Sequence, residues 1–396
     1  MSWKNIIGQK QQIRVLQNAL ETGRFAHAYL FTGPDGSGKE SVAFEIASIL
    51  NCRETPANPQ AGSCESCPDC LQVRSFIHPN VEYIFPVESA LLDAADISKK
   101  ENKRFTEARE RYDALIEQKK QNPYFAPAME RSMGILTEQI ITLQHKAIFM
   151  PSKGSKKIFI ISQAERLHPS AANKLLKLLE EPPPHVLFIL VSSRPEALLP
   201  TIRSRCQSVR FSRVTTQELQ CWLKENRPEI MDNERSLIAS FSRGNLRLAW
   251  ELINNRDSNP SETATIVLRD KALDYLRNVL TPSRFHEAVS SCEQNAKNLS
   301  RGDLTLFLAS LLLFFQDANH RSINPDFQEL NNPDITNAID RFTKNFPKPD
   351  FFQISTVTED AIRAIDRNAN PLLVMASFTA NIKALLLNSS SQFLTR

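Results

Sequence analysis

Hydrophobic positions in the first half of the chain follow two rhythms in turn. Over residues 10–23, Ile13, Leu16 and Leu20 recur at helical spacing among polar neighbours. AYLFTG at 28–33 is a short unbroken apolar run ending in glycine, the pattern of a strand buried on both faces. KESVAFEIASIL at 39–50 returns to the helical rhythm. KIFIIS at 157–162 predicts a second buried strand and HVLFILVSS at 185–193 a third. Between them, NKLLKLLEE at 173–181 predicts a helix stopped by Pro182, Pro183 and Pro184. Strands alternating with helices predict an α/β unit, a parallel sheet with helices on both faces. Beyond about residue 213 the pattern is helical throughout, with a linker expected near RDSNPSET at 256–263.

One segment breaks this order. Residues 97–122, ISKKENKRFTEARERYDALIEQKKQN, are dense in charges of both signs, with Phe105, Tyr112, Leu115 and Ile116 at helical spacing. They predict an inserted amphipathic helix or hairpin. A solvated helix packed on its own domain is the simpler account, and a partner-binding arm is the alternative.

Composition changes this picture little. At 396 residues with 41% hydrophobic and 23% charged positions, the chain has room for two or three domains. The start, MSWKNIIGQKQQ, is polar and unlike a secretory signal. The longest apolar stretch, LFLASLLLFF at 306–315, is too short to span a bilayer. The expectation is a soluble, cytoplasmic protein without a membrane partner. A net charge of +4 neither demands nor excludes nucleic acid, since a local patch matters more than the total.

Candidate chemistry begins at FTGPDGSGKESV, residues 31–42. Strand, glycine-rich turn and helix form the setting of a phosphate loop, whose backbone N–H groups wrap phosphates. Gly33, Gly36 and Gly38 supply the turn and Lys39 the cation. The next position should carry the Ser or Thr hydroxyl that binds Mg2+, and it is Glu40. A carboxylate 4 Å from a phosphate charge costs about 4 kcal/mol at an effective dielectric near 20. It could instead ligate Mg2+ itself. A tight strand-to-helix turn without a ligand also fits the glycines.

A hydrolysing enzyme needs an Asp and a Glu at the end of the second strand. IFIISQAERL has Ser162 and Gln163 there, and neither can be an anionic ligand or take a proton. Loss of a positioned general base removes about 10²- to 10⁴-fold of rate. Glu165, two residues further on, is expected to point elsewhere. The combination predicts a shell whose loop can still hold ATP or ADP but does not hydrolyse it.

Four of the seven cysteines, Cys52, Cys64, Cys67 and Cys70, crowd into residues 52–70 as C-x11-C-x2-C-x2-C. In a reducing compartment this spacing predicts a tetrahedral zinc site. With four protein ligands the metal has no open position and is structural. Cys206, Cys221 and Cys292 are scattered and read as ordinary apolar residues. After the third strand, RPEALLPTIRSRCQSVRF carries Arg203 and Arg205. Either could donate to a phosphate held by a neighbouring subunit. The local sequence fits a surface pair or a carbonyl contact better.

Taken together, these residues resemble the clamp-loader branch of the AAA+ family. The resemblance is carried by IIGQ at 6–9, GRFAHAYLFTGPDGSGK at 23–39, the four-cysteine module after the first loop helix, SAANKLLKLLEEPPPHVLFIL at 170–190, TIRSRC at 201–206 and RNANP at 367–371. It covers most of the chain outside about 88–132. The departures at Glu40, Ser162 and Gln163 are similar to the non-hydrolysing delta-prime type of subunit rather than the gamma and tau motors. GNLRLAW at 244–250 places Arg247 at the position of a nucleotide-sensing arginine.

The resemblance implies an AAA+ module over 1–212, a helical lid over 213–265 and a helical collar over 266–396. It implies an arginine finger at Arg205, given in trans to the ATP of a gamma or tau subunit. It further implies delta as the other neighbour, with the sliding clamp and primed DNA reached through the complex. Two other readings remain: an active gamma/tau-like ATPase with an unusual metal shell, and a zinc-bearing DNA-binding protein outside replication.

Overall fold

The computed structural model describes residues 2–54, 60–92, 103–151, 156–258, 264–346 and 349–391. Two compact units divide the chain: Met1–Leu219 with Gly244–Trp250, and Gln220–Arg243 with Glu251–Arg396.

The first unit is built on a five-stranded, all-parallel sheet. Its strands are β1 (Ala28–Thr32), β2 (Val81–Ile84), β3 (Lys157–Ile161), β4 (Val186–Ser192) and β5 (Gln207–Arg210). Their spatial order is β2-β3-β4-β1-β5. β1, β3 and β4 are buried along their whole length, as their unbroken apolar runs require. Their side chains alternate between two cores. Tyr29, Phe31, Ile158, Ile160, Leu187 and Ile189 join one. Leu30, Phe159, Ile161, Phe188 and Leu190 join the other. On the first face lie α1 (Lys10–Glu21) and α2 (Lys39–Asn51); on the second lie α5 (Thr137–Ile148), α6 (Pro169–Glu180) and α7 (Pro200–Arg205).

β2 and β5 were not foreseen in the hydrophobic pattern. Both are edge strands, and VEYI and QSVR mix apolar and polar residues because part of each faces outward. A seven-residue helix, α3 (Pro68–Arg74), carries the last residue of the cysteine cluster, Cys70.

Of the charged insertion, residues 97–102 lie outside the described part; residues 103–121 form one helix, α4 (Lys103–Gln121), and Asn122 follows it. The helix packs on its own unit. Ala108, Tyr112, Leu115 and Ile116 meet Phe85, Val87 and Met129. The Phe85 and Tyr112 rings stack at 5.4 Å. Arg111 forks onto the Glu88 carboxylate at 3.0 and 2.8 Å. This is the simpler of the two expected arrangements.

All described residues of the second unit are helical or in loops. α8 (Thr216–Asn226) ends in it, and α9 (Asp232–Ser242) belongs to it. α10 (Leu246–Ser258) takes in residues 256–258 of the expected linker; residues 259–263 lie outside the described part. α11 (Ala264–Leu280), α14 (Thr336–Asn345) and α15 (Phe351–Asp366) pack on α13 (Arg301–Ile323), while α12 (Phe285–Asn298) and α16 (Pro371–Ser391) pack on each other and on α11. α13 starts at a reciprocal cap between Ser300 and Asp303 and buries Leu304, Phe307, Leu308 and Leu311. Among the described residues no helix is long and apolar enough to cross a membrane.

Candidate functional site

β1 delivers the chain into the glycine-rich turn, and α2 starts at Lys39 directly after it. Gly33 and Gly36 have φ of 145° and 72°. A Cβ at Gly33 would lie 2.3 Å from the Phe211 carbonyl oxygen, and one at Gly36 would lie 1.8 Å from Asn245 Oδ1. Only glycine fits either place. Gly38 also has a positive φ, 87°.

Lys39 does not reach outward. Its Nζ donates to the carbonyls of Gly33 and Pro34, each at 2.6 Å. Burial pulls its pKa down, against the pull of Asp35, Glu40 and Glu165. The cavity over the loop measures only about 30 Å³, enough for a water or two. Pro123, Tyr124 and Ala126, from the segment after α4, form part of its wall.

Glu40 is not left as an unbalanced charge. Its Oε1 accepts from the Ser162 hydroxyl and its Oε2 from the Lys119 ammonium. Tyr83 Oη donates to the same Oε2 at 2.9 Å. Lys119 comes from α4 and its side chain is 1% exposed; that of Glu40 is 8% exposed. The remaining Lys119 donors go to the carbonyls of Pro123 at 2.9 Å and Phe125 at 2.5 Å. Burial lowers the Lys119 pKa, and the Glu40 carboxylate opposes it. Burial and the Glu40 charge raise the Tyr83 phenol well above its ordinary value, which keeps it a donor.

At the end of β3, Ser162 is fully buried and Gln163 turns away in a left-handed conformation, φ 51°, donating to the Pro127 carbonyl at 3.0 Å. Glu165 does not point elsewhere, as its place in sequence led one to expect. It lines the cavity over the loop. The 3-10 turn Ala164–Arg166 swings it back, so that Oε1 accepts from the Ser193 backbone N–H at 3.3 Å and hydroxyl at 2.8 Å. Its Oε2 is buried without a hydrogen-bond partner. Arg247 also comes to this end of the site. Leu246 N–H donates to the Gly36 carbonyl at 2.8 Å, and the Arg247 guanidinium lies 4.9 Å from the Phe125 ring centre. With Asp35, Gln163, Glu165 and Arg194 it borders a second, wider cavity of about 560 Å³.

The cysteine module hangs from the far end of α2. Cys52 follows the last residue of that helix, Cys70 sits in α3, and Cys64 and Cys67 come from the loop between. All four Sγ atoms lie within 4.8 Å of one another. Cys52 and Cys67 are 3.9 Å apart and Cys64 and Cys70 3.8 Å. Tetrahedral bonds of about 2.3 Å to zinc place sulfurs about 3.8 Å apart, so the cluster could hold that ion. The Cys67 N–H donates to Cys64 Sγ at 3.3 Å. Burial pushes the Cys64 thiol up, but donors from Cys67 and Ser66 outweigh it and hold it at about 6. Glu45, buried in α2, accepts from the Ser63 N–H at 2.7 Å and hydroxyl at 2.8 Å, which pins the module to the helix behind the phosphate loop.

Ile202 and Cys206 are both buried and anchor α7 to the sheet. Burial raises the Cys206 thiol to about 12. Arg203 and Arg205 therefore project outward. Arg203 is exposed; Arg205 is half-buried, with Nη2 2.8 Å from Glu180 Oε1 and Nη1 donating to the Thr201 carbonyl at 3.1 Å. Cys292 is buried as expected, but Cys221 is exposed and is not an apolar core residue.

Residues 8–215 match the family model described as "DNA polymerase III, delta subunit". The chain belongs to that family. Among curated relatives, the chain is 29% identical over 269 residues to the DNA polymerase III subunit delta' of Bacillus subtilis (strain 168), covering 68% of this chain and 66% of the relative. It is 28% identical over 256 residues to subunit tau of the same organism, covering 64% of this chain and 37% of the relative. It thus spans about a third to two thirds of their lengths. A crystal structure of a gamma subunit-related protein of DNA polymerase III from Thermotoga maritima aligns with 94% of this chain and 99% of its own at 16% identity, TM-score 0.44. The match places the chain in the AAA+ clamp-loader family, and the matched residues lie in the first unit. Of the residues singled out in sequence, that unit brings Gly33, Gly36, Gly38, Lys39 and Arg247 together, and it gathers the four cysteines at a separate place. Lys119 and Tyr83 escaped sequence reasoning, and Glu165 turns into the cavity against the expectation. For Lys119 the one available signal was a lysine pair at the end of a helix inserted next to an incomplete site.

Proposed function

We propose that the chain is a non-hydrolysing, delta-prime-like subunit of the replicative clamp loader. In this reading it is a cytoplasmic stator that lends Arg205 to the ATP of a neighbouring gamma or tau subunit. The observation that carries it is the saturated Glu40. Both of its oxygens are taken by protein donors, and the acids of a hydrolytic site are replaced by Ser162 and Gln163. The outward position of Arg205 supports the second half of the reading. Among the described residues its anionic partner is Glu180, a half-exposed pairing that costs little to exchange for a phosphate. A guanidinium at the transferring phosphoryl group would stabilise the charge that develops there.

Delta would be the other neighbour. Residues 213–265 would act as a lid and 266–396 as the collar that joins the ring. The sliding clamp and primed DNA would be reached through the complex, with DNA met by backbone-directed charges. Cys52, Cys64, Cys67 and Cys70 would hold Zn2+, which fills its shell with thiolates and serves the fold alone.

One observation favours a second reading, an active gamma/tau-like ATPase. Glu165 faces the loop cavity with an unpartnered oxygen and could serve as a base. Purified full-length chain tests both. ATP turnover by the chain alone is expected to stay at the blank rate, and Glu165→Gln is expected to leave the turnover of the assembled loader unchanged. Turnover by the isolated chain that Glu165→Gln abolishes would establish the second reading.

A further inference from the structure

In a working phosphate loop, a hydroxyl after the lysine and an Asp at the end of the second strand share one Mg2+. In this chain those two groups have changed places. The carboxylate is at position 40 and the hydroxyl at position 162. The complementary pair survives, but the two groups are in direct hydrogen-bond contact. No gap is left for an ion that demands near-octahedral oxygen ligands at about 2.0–2.1 Å and keeps several waters. A positive charge is still required beside the carboxylate, and Lys119 provides it.

We infer that Lys119 is a built-in replacement for the divalent cation, and that the inserted segment carrying it holds the phosphate loop in shape without Mg-nucleotide. Three features fit this role. All three Lys119 donors are used, on Glu40, Pro123 and Phe125, so it is a satisfied cation. The same short segment roofs the loop with Pro123, Tyr124 and Ala126, and Ser41 Oγ donates to the Pro123 carbonyl at 3.2 Å. Lys39 has turned onto the loop's own carbonyls, where it offers nothing to an incoming phosphate. The insertion thus supplies the charge and the roof together. α4 is fixed at its middle by Phe85 and Glu88, which holds Lys119 in place at the end of the helix, where a cation is favoured.

The inference goes beyond the stator reading and does not depend on Arg205. Thermal melts of the full-length chain test it, with and without millimolar Mg-ATP, for wild type, Lys119→Met and the double variant Glu40→Gln/Lys119→Met. Wild-type Tm is expected not to move with Mg-ATP, whereas a bound ligand would raise it by mass action. Lys119→Met strands the Glu40 charge in the interior and is expected to lower Tm by roughly 6–12 °C. The double variant removes that charge and is expected to regain most of the loss; if the single variant does not fold, the double variant decides. A wild-type Tm that rises with Mg-ATP, a Lys119→Met Tm equal to wild type, or a double variant no more stable than Lys119→Met would each overturn the inference. Since no readout involves a neighbouring ATPase, failure here and failure of the finger assignment are separate outcomes.

Discussion

Cys67→Ser is expected to lower the melting temperature of the first unit by on the order of 10 °C or more, and to release metal from the purified chain. Polar ties at Ser63, Glu65 and Asp69 and the core residue Val73 also hold the module, but none of them gathers the four cysteines. α3 has seven residues, too few to persist as a helix without packing. The cluster behind it consists of the cysteines themselves. In small zinc modules the metal contributes about 10–16 kcal/mol of apparent binding free energy, which there is folding free energy. The damage should spread, because Cys52 ends α2 and Glu45 ties Ser63 to the same helix, whose other end is the phosphate loop. Metal analysis should find one zinc per wild-type chain and clearly less in Cys67→Ser. A metal-free wild type that melts at the same temperature as the zinc-loaded protein would remove the metal from this account.

The parts of the fold legible in sequence were those whose pattern is local. β1, β3 and β4 are buried on both faces, so their apolar runs are unbroken and stand out. α2 follows a glycine turn that announces it. The cysteines declare themselves because a metal site is built from short spacings. β2 and β5 stayed hidden because an edge strand tolerates polar residues on its open side. Lys119 stayed hidden for a different reason. Its partner lies 79 residues away, and no rule of spacing joins the two. Glu40 looked in sequence like a repulsive charge because its compensation is tertiary. Glu165 was misplaced because a 3-10 turn after β3 reverses the direction that simple counting gives it. Cys221 reads as an ordinary apolar residue because it stands apart from the cysteine cluster, whereas in the structure it is exposed.

Arg205→Ala is expected to lower ATP turnover in an assembled loader by about 10³-fold or more, as removal of a trans-acting arginine does in other NTPases. The effect should fall on kcat at the neighbouring site, because the guanidinium meets charge that grows in the transition state. Assembly should survive, since Arg205 is half-exposed and its partners in this chain are Glu180 and the Thr201 carbonyl. Arg203→Ala is the matched control: it removes an exposed charge two residues away on the same short helix and should change turnover little.

The most direct test of the stator account is DNA- and clamp-stimulated ATP hydrolysis by a loader reconstituted with wild-type, Arg203→Ala or Arg205→Ala chain, with assembly checked by gel filtration. The account predicts intact complexes in all three and a collapse of turnover with Arg205→Ala alone. Intact complexes with unchanged turnover in Arg205→Ala would contradict it.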